Sequence, residues 1–447
     1  MNLLAPDSTA VADSAATAGV GGAVRLCTLA VAMACAAMAA DSPHQWAGLR
    51  EVNPPAAPAV GQTVAIVGAT LIDGRGGPVI RDAVVVIGGS RILAVGPRAE
   101  VEIPAGAKRV DAAGQYLLPG LFDAHYHSGG SNGEAFARGL LDAGVTSFRD
   151  PGHPDSYGHL LTTDEPRPRG FLTGKHLDQA APAYPNNSIL LETPEEVRST
   201  VDQLVADGAS ALKVYFRLPE PLIRVLSERA DRHGVPVTAH LELVRADAAI
   251  RAGVDGIEHV TSLGTTLATP EDAAEFERGV DNENSFRRDG RYWLWSRLDF
   301  RNNPRLQPLL DLMRREQTFL TPTLYTFEVR EGDKDATAEK VAGFEKMLEL
   351  TGIAYQAGIP ILSCSHGRPP EANWRDIELI VEAGVPPMEA IRGSTDHASR
   401  FFGVSERLGT IEAGKLADLI LLGADPLADI SAVRDVKRVM LNGAWVR

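Results

Sequence analysis

In the run GLFDAHYH, His125 and His127 stand two residues apart. On an extended strand that spacing sends both imidazoles to one face, where they can share a metal ion. Two more histidines end strand-like runs further along: His240 closes PVTAHL and His259 closes GIEHV. Imidazole is a common ligand for zinc and similar ions. A hydrogen-bonded core histidine explains any one of these residues as well, but four of the eleven histidines at run ends are hard to assign to packing. Lys213 sits inside the apolar run ALKVYF, where an unpaired ammonium is costly. It needs a charged partner, a route for its head group to solvent, or a modification. Carbamylation by carbon dioxide would turn the amine into an anionic ligand able to bridge two metals. Tyr215, two residues on, shares the face of Lys213 and offers its hydroxyl either to a substrate carbonyl or to the core. Asp150 and His176 also follow strand-like runs and suit supporting roles behind the ligands.

Such a set works only if its runs lie side by side. GLFDAHYH, GVTSFRD, GFLTG, ALKVYF, PVTAHL, GIEHV, TFLTPTL and PILSCSH are short and apolar, and are separated by helical stretches such as TPEEVRSTVDQLVADG. Strands alternating with helices predict an α/β fold, a (β/α)8 TIM barrel over residues 119–404, with the histidines at its C-terminal face. Residues 62–118 and 405–447 instead carry β-branched runs cut by glycine, and neither has enough strands to bury a sheet face alone. They are expected to form one composite β-sandwich domain. Residues 265–316 make an unusually long spacer between the sixth and seventh strands. Its RYWLWSRLDF segment either walls a pocket or anchors an inserted helix.

The chain has 447 residues, 44% hydrophobic and 23% charged, which is ordinary globular composition. Its net charge of −14 repels phosphate backbones and anionic lipid, so neither nucleic acid nor, in the mature form, a membrane is expected as a partner. A small-molecule substrate is, and a homo-oligomer is allowed. Arg25 precedes the apolar stretch LCTLAVAMACAAMAA, which holds Ala37-Met38-Ala39. This has the form of a secretory signal peptide over residues 1–40, cleaved near Ala39 or Ala40, and is too short for a comfortable membrane span. Residues 41–61, rich in Pro and Ala, read as a linker. The expected location is periplasmic or secreted, or cytoplasmic if the segment is not a signal. Cys27 and Cys35 lie in that segment, leaving Cys364 without an intrachain disulfide partner.

The order GLFDAHYH, GVTSFRD, LKVY, TAH, EHV and LGTIEAGKLADLILL resembles the imidazolonepropionase-like branch of the amidohydrolase superfamily, which includes secreted Xaa-Pro and N-acyl-amino-acid hydrolases. The resemblance runs from residue 62 to 447 and implies a binuclear site. His125 and His127 hold one ion, His240 and His259 the other, and carbamylated Lys213 bridges them. A metal-activated hydroxide then cleaves the carbon–nitrogen bond of a small amide or peptide, such as an N-acyl amino acid or dipeptide. Zinc is the default ion, and the same donors accommodate manganese, cobalt or iron.

The chain departs from this family in one place. The family ends its eighth strand in an aspartate that touches a metal and shuttles the proton to the leaving nitrogen. Here AGIPILSCSHG puts His366 in that position, and the next aspartate, Asp376, lies too far along. Three outcomes follow. His366 acts as ligand and base, since an imidazole is suited to proton transfer. Alternatively, a metal-bound nitrogen is lost as a base and activity is low. Or the chain is a weak or inactive relative that binds metal and a small ligand.

Overall fold

Alternation along Thr63–Leu71 and Ile80–Gly88 puts Ile66, Val85 and Ile87 into one apolar cluster and Ala65, Val67, Val84 and Val86 into another on the opposite face. The two strands pair antiparallel, and Arg91–Pro97 continues the meander. Tyr116–Pro119 then pairs with Leu419–Leu422 from the far end of the chain, and Val436–Leu441 pairs with the latter. Both chain ends thus build one eight-stranded sheet. The computed structural model describes residue 46 and residues 51–56, 63–128, 133–153, 166–367 and 369–447; the segment read as a signal peptide lies outside them. Part of the stretch read as a linker is bonded to the barrel. Val52 N–H donates to the Gly170 carbonyl at 3.0 Å, and the Asn53 amide donates to the Pro168 carbonyl at 2.6 Å.

The barrel closes through eight parallel segments, seven strands and an isolated bridge. Leu121–Asp123 pairs with Val145–Asp150, which pairs with Arg169–Leu172. A bond from Ser210 N–H to the Leu172 carbonyl, 2.8 Å, leads to Leu212–Val214. Val237–His240, Gly256–Glu258 and Phe319–Thr321 follow in parallel register. Ile361 bridges to Leu320 as the eighth, and Ala124 N–H donates to the Ser363 carbonyl at 3.0 Å, returning to the first. The helices between start and stop where their sequences dictate. Pro194–Asp207 begins in a Thr193/Glu196 capping box and ends at Gly208, whose φ of 116° an L side chain rarely adopts.

The long spacer folds into helices that include Pro270–Asn282, Arg287–Ser296 and Leu306–Arg315. Trp295 is fully buried and packs on Phe300, and Trp293 stacks beneath Arg297. These two indoles anchor the insertion, while Arg287, Arg288, Arg291 and Tyr292 of the same helix face the barrel mouth. No described helix is long and apolar enough to cross a membrane.

Candidate metal centre

At the C-terminal face, His125, His127, Lys213, His240, His259 and His366 all line one cavity of about 640 Å³. His125 and His127 lie just beyond the end of the first strand, held there because Tyr126 N–H donates to the Arg149 carbonyl at 2.9 Å. Their Nε2 atoms stand 3.1 Å apart. The opposite nitrogens explain that approach. His125 Nδ1 is 2.6 Å from Glu258 Oε2, and His127 Nδ1 is 3.5 Å from Asp150 Oδ1. A proton kept on each Nδ1 by a carboxylate leaves two Nε2 lone pairs converging, the arrangement that orients histidines toward a metal.

His366 completes the group. One nitrogen from each of His125, His127 and His366 lies within 4.8 Å of the others. His366 is placed by its own N–H, which donates to the His125 carbonyl at 2.8 Å, and it adopts a φ of 57°. Asp123 fastens the two loops: its carboxylate accepts from the backbone N–H groups of His125 and Ser365, each at 3.1 Å, and from the Ser365 hydroxyl at 2.5 Å. Burial raises the Asp123 carboxyl to about 6 against these lowering bonds. Asp376 does not enter the site. It accepts from the N–H groups of Tyr325 and Cys364, both at 3.0 Å, and supports the same loop from behind.

His259 follows Glu258 directly, so strand alternation alone would send the two side chains to opposite faces. A φ of 65° at His259 turns its ring into the mouth, 4.9 Å from the His125 ring and 4.6 Å from that of His240. Thr323 Oγ1 lies 3.0 Å from His259 Nδ1. His240 Nε2 is approached by Glu242 Oε1 at 3.0 Å and by the guanidinium of Arg291 at 3.1 Å. Arg291 is itself paired with Glu242. This half of the cluster therefore already has a cation against it. Burial first, and neighbouring positive charge second, hold His125, His240 and His259 well below the ordinary imidazole value. The neutral imidazole they favour is the metal-binding form.

Lys213 is 1% exposed, and its Nζ has no hydrogen-bond partner among the described residues. Burial lowers it to about 7. A buried amine shifted toward its neutral form among histidines suits either carbamylation or a nearby cation. Tyr215 lines the cavity, stacked on His176 with ring centroids 4.3 Å apart and packed 4.7 Å from His240. His176 also lines the cavity, and neither of its ring nitrogens has a partner among the described residues. Asp150 accepts from the Ser128 N–H and hydroxyl at 2.7 and 2.6 Å. Burial pushes its carboxyl up, but these bonds and His127 overcome that and hold it low.

Glu258 and Arg291 did not stand out in the sequence. Glu258 gathers His125, Arg149 and the Thr238 hydroxyl around one carboxylate. Its only signal in the sequence is a charged residue inside the apolar run GIEHV, next to His259. The arginines stand on a helix whose tryptophans were the more conspicuous feature.

Known proteins resemble this chain in sequence and in fold. Residues 310–446 match the family model described as the amidohydrolase family. Adenine deaminase 3 of Rhizobium meliloti is 26% identical over 77% of this chain and 52% of its own length. The chain thus spans about half of that relative. The imidazolonepropionase of Pseudomonas paraeruginosa is 26% identical over 79% of this chain and 90% of its own. In fold, the chain resembles the crystal structure of a Xaa-Pro dipeptidase with bound methionine in the active site. The TM-score is 0.66 at 22% identity, covering 86% of this chain and 99% of that one.

Proposed function

We infer that this chain, which belongs to the amidohydrolase superfamily, binds a divalent metal on His125, His127 and His366 and a small ligand in the cavity above them. Its cleavage of carbon–nitrogen bonds is slow, because the histidine in the proton-transfer position is also a metal holder. The observation that carries this reading is the convergence of three imidazole nitrogens within 4.8 Å. Zinc is the default ion. When bound, such an ion supplies Lewis-acid polarisation and makes water a better nucleophile near neutral pH. The chain's own residues do the rest: Glu258 and Asp150 orient the imidazoles, Tyr215 offers a hydroxyl at the cavity wall, and His366 is left with a single nitrogen for proton transfer. N-acyl amino acids and dipeptides are the proposed ligands, supported by the fold likeness to a dipeptidase whose active site holds methionine. The proposed location is periplasmic or secreted, on the strength of the apolar stretch after Arg25.

The decisive substitution is His366→Asp, assayed on N-acyl amino acids, Xaa-Pro dipeptides and lactones after loading with zinc, manganese or cobalt. A carboxylate there restores an acid–base group, and an increase of about 10²–10⁴-fold in kcat is expected. A wild-type protein that already turns over rapidly, and that slows on this change, would refute the weak-catalyst reading. One observation favours that competent hydrolase, with two ions bridged by carbamylated Lys213: the buried Nζ, which has no hydrogen-bond partner among the described residues. A carbamate resonance in protein loaded with labelled bicarbonate, absent from Lys213→Ala, would support it.

A further inference from the structure

The chain as a whole is acidic, with a net charge of −14, yet its cavity is lined by Arg287, Arg288, Arg291 and Lys213, and no aspartate or glutamate lines it among the described residues. Arg291 is neutralised by Glu242. Arg287 differs. It is 5% exposed, and among the described residues it forms no ion pair. Among those residues its Nε has no hydrogen-bond partner, and its Nη2 makes one long bond, 3.3 Å, to the Tyr184 hydroxyl. The guanidinium sits 5.8 Å from the Tyr184 ring and 5.6 Å from that of Phe216.

Glu242 and Asp178 are near enough to act on Arg287 through charge, but Glu242 is already paired with Arg291 and neither forms an ion pair with Arg287. A buried guanidinium without a bonded carboxylate is unfavourable, and an arginine does not escape by losing its proton. Two aromatic rings within about 6 Å favour the positive charge, but they leave Nε without a hydrogen bond among the described residues. The Nε edge of a guanidinium is the fork that takes both oxygens of a carboxylate. Its position suits a ligand that also reaches the histidines. Tyr184 packs 5.9 Å from Tyr215, which packs 4.7 Å from His240, so two aromatic side chains separate Arg287 from the candidate metal ligands.

We propose that the cavity takes a small molecule bearing a carboxylate, and that Arg287, with Arg288 beside it on the inserted helix, holds that group while the rest of the molecule extends toward the histidines. This rests on the ligand-binding reading above and names the residues that would select the ligand. Neither arginine belongs to the histidine cluster, so metal binding and carboxylate selection are separable.

The test is calorimetric titration of the metal-loaded full chain with a panel of N-acetyl amino acids and the matching primary amides, which keep the shape and lose the charge. Charge-assisted bonds of this kind correspond to about 10- to 100-fold in affinity. The wild type should prefer the acids by that factor. Arg287→Gln should bring acid and amide to within about twofold, an additional Arg288→Gln should leave no remaining preference, and metal content should stay unchanged. Arg287→Lys, which keeps the charge without the fork, should fall between and guards against a variant that fails to fold. Equal binding of acids and amides by the wild type, no binding of any acid, or a preference that survives Arg287→Gln would overturn the proposal. Inorganic phosphate displacing the acids at lower concentration, with the same dependence on Arg287, would overturn the carboxylate assignment. Metal content and turnover are read separately. Protein that takes up no metal but still discriminates would sink the metal reading alone, and metal-loaded protein without discrimination would sink only this one.

Discussion

The two halves of the histidine cluster differ in what stands behind them and what stands in front. His125 and His127 have carboxylates behind, Glu258 and Asp150, and open onto His366 in front. His240 has a guanidinium in front, that of Arg291, held there by Glu242. His125 and His240 are alike in type and both buried, so the difference between them lies in their neighbours. Negative charge behind a ligand raises its basicity toward a cation, and a fixed cation beside it repels one. The first half is built to receive an ion; the second is already partly satisfied without one.

The sharpest way to break that contrast is to remove a ligand from each half. His125→Ala should weaken zinc binding by more than the roughly 10–100-fold that loss of an outer hydrogen-bond partner causes. His240→Ala should change the first equivalent by less than about tenfold. Competition with a chelator measures both, and equal losses would erase the distinction. Next in size is Glu258→Gln. It should reduce zinc affinity by about 10–100-fold and, by leaving Arg149 buried without its carboxylate, destabilise the metal-free protein by about 3–5 kcal/mol. Denaturant melts of the apo and zinc forms separate the two effects, and a variant as stable as wild type would show that the ion pair matters little.

Arg291→Ala should open the other half, and a second equivalent of metal should appear by elemental analysis where the wild type holds one. Two equivalents in the wild type would mean that the guanidinium is no barrier. The smallest expected effect is on pH dependence. His125, His240 and His259 have folded-state values below the ordinary one. As pH falls through about 6.5, the unfolded chain takes up protons that the folded chain does not. Stability is therefore fullest above that pH and declines toward acid, at most by about 1.4 kcal/mol per pH unit for each histidine. Zinc-loaded protein should decline more steeply, because protons then also compete with the ion. A melting temperature flat between pH 7.5 and 5.5 would contradict the neutral, buried assignment.

Local patterning determined a great deal here. Alternation of apolar residues and the spacing of glycines are properties of single strands and helices, and they were enough to mark the eight barrel strands, the two β-rich chain ends and the run-end histidines. The i, i+2 spacing of His125 and His127 likewise states a shared face. The interactions that distinguish one half of the site from the other are long-range. Glu258 reaches His125 across 133 residues of sequence, and Arg291 reaches Glu242 across 49. No periodicity within an element reports which element will face it across a closed barrel, nor that an inserted helix will turn its arginines inward while its tryptophans anchor it. Single backbone torsions decided the remainder. The positive φ values at His259 and His366 lie where the chain leaves regular strand geometry, which sequence alternation does not report, and they persist because surrounding hydrogen bonds hold the loops there.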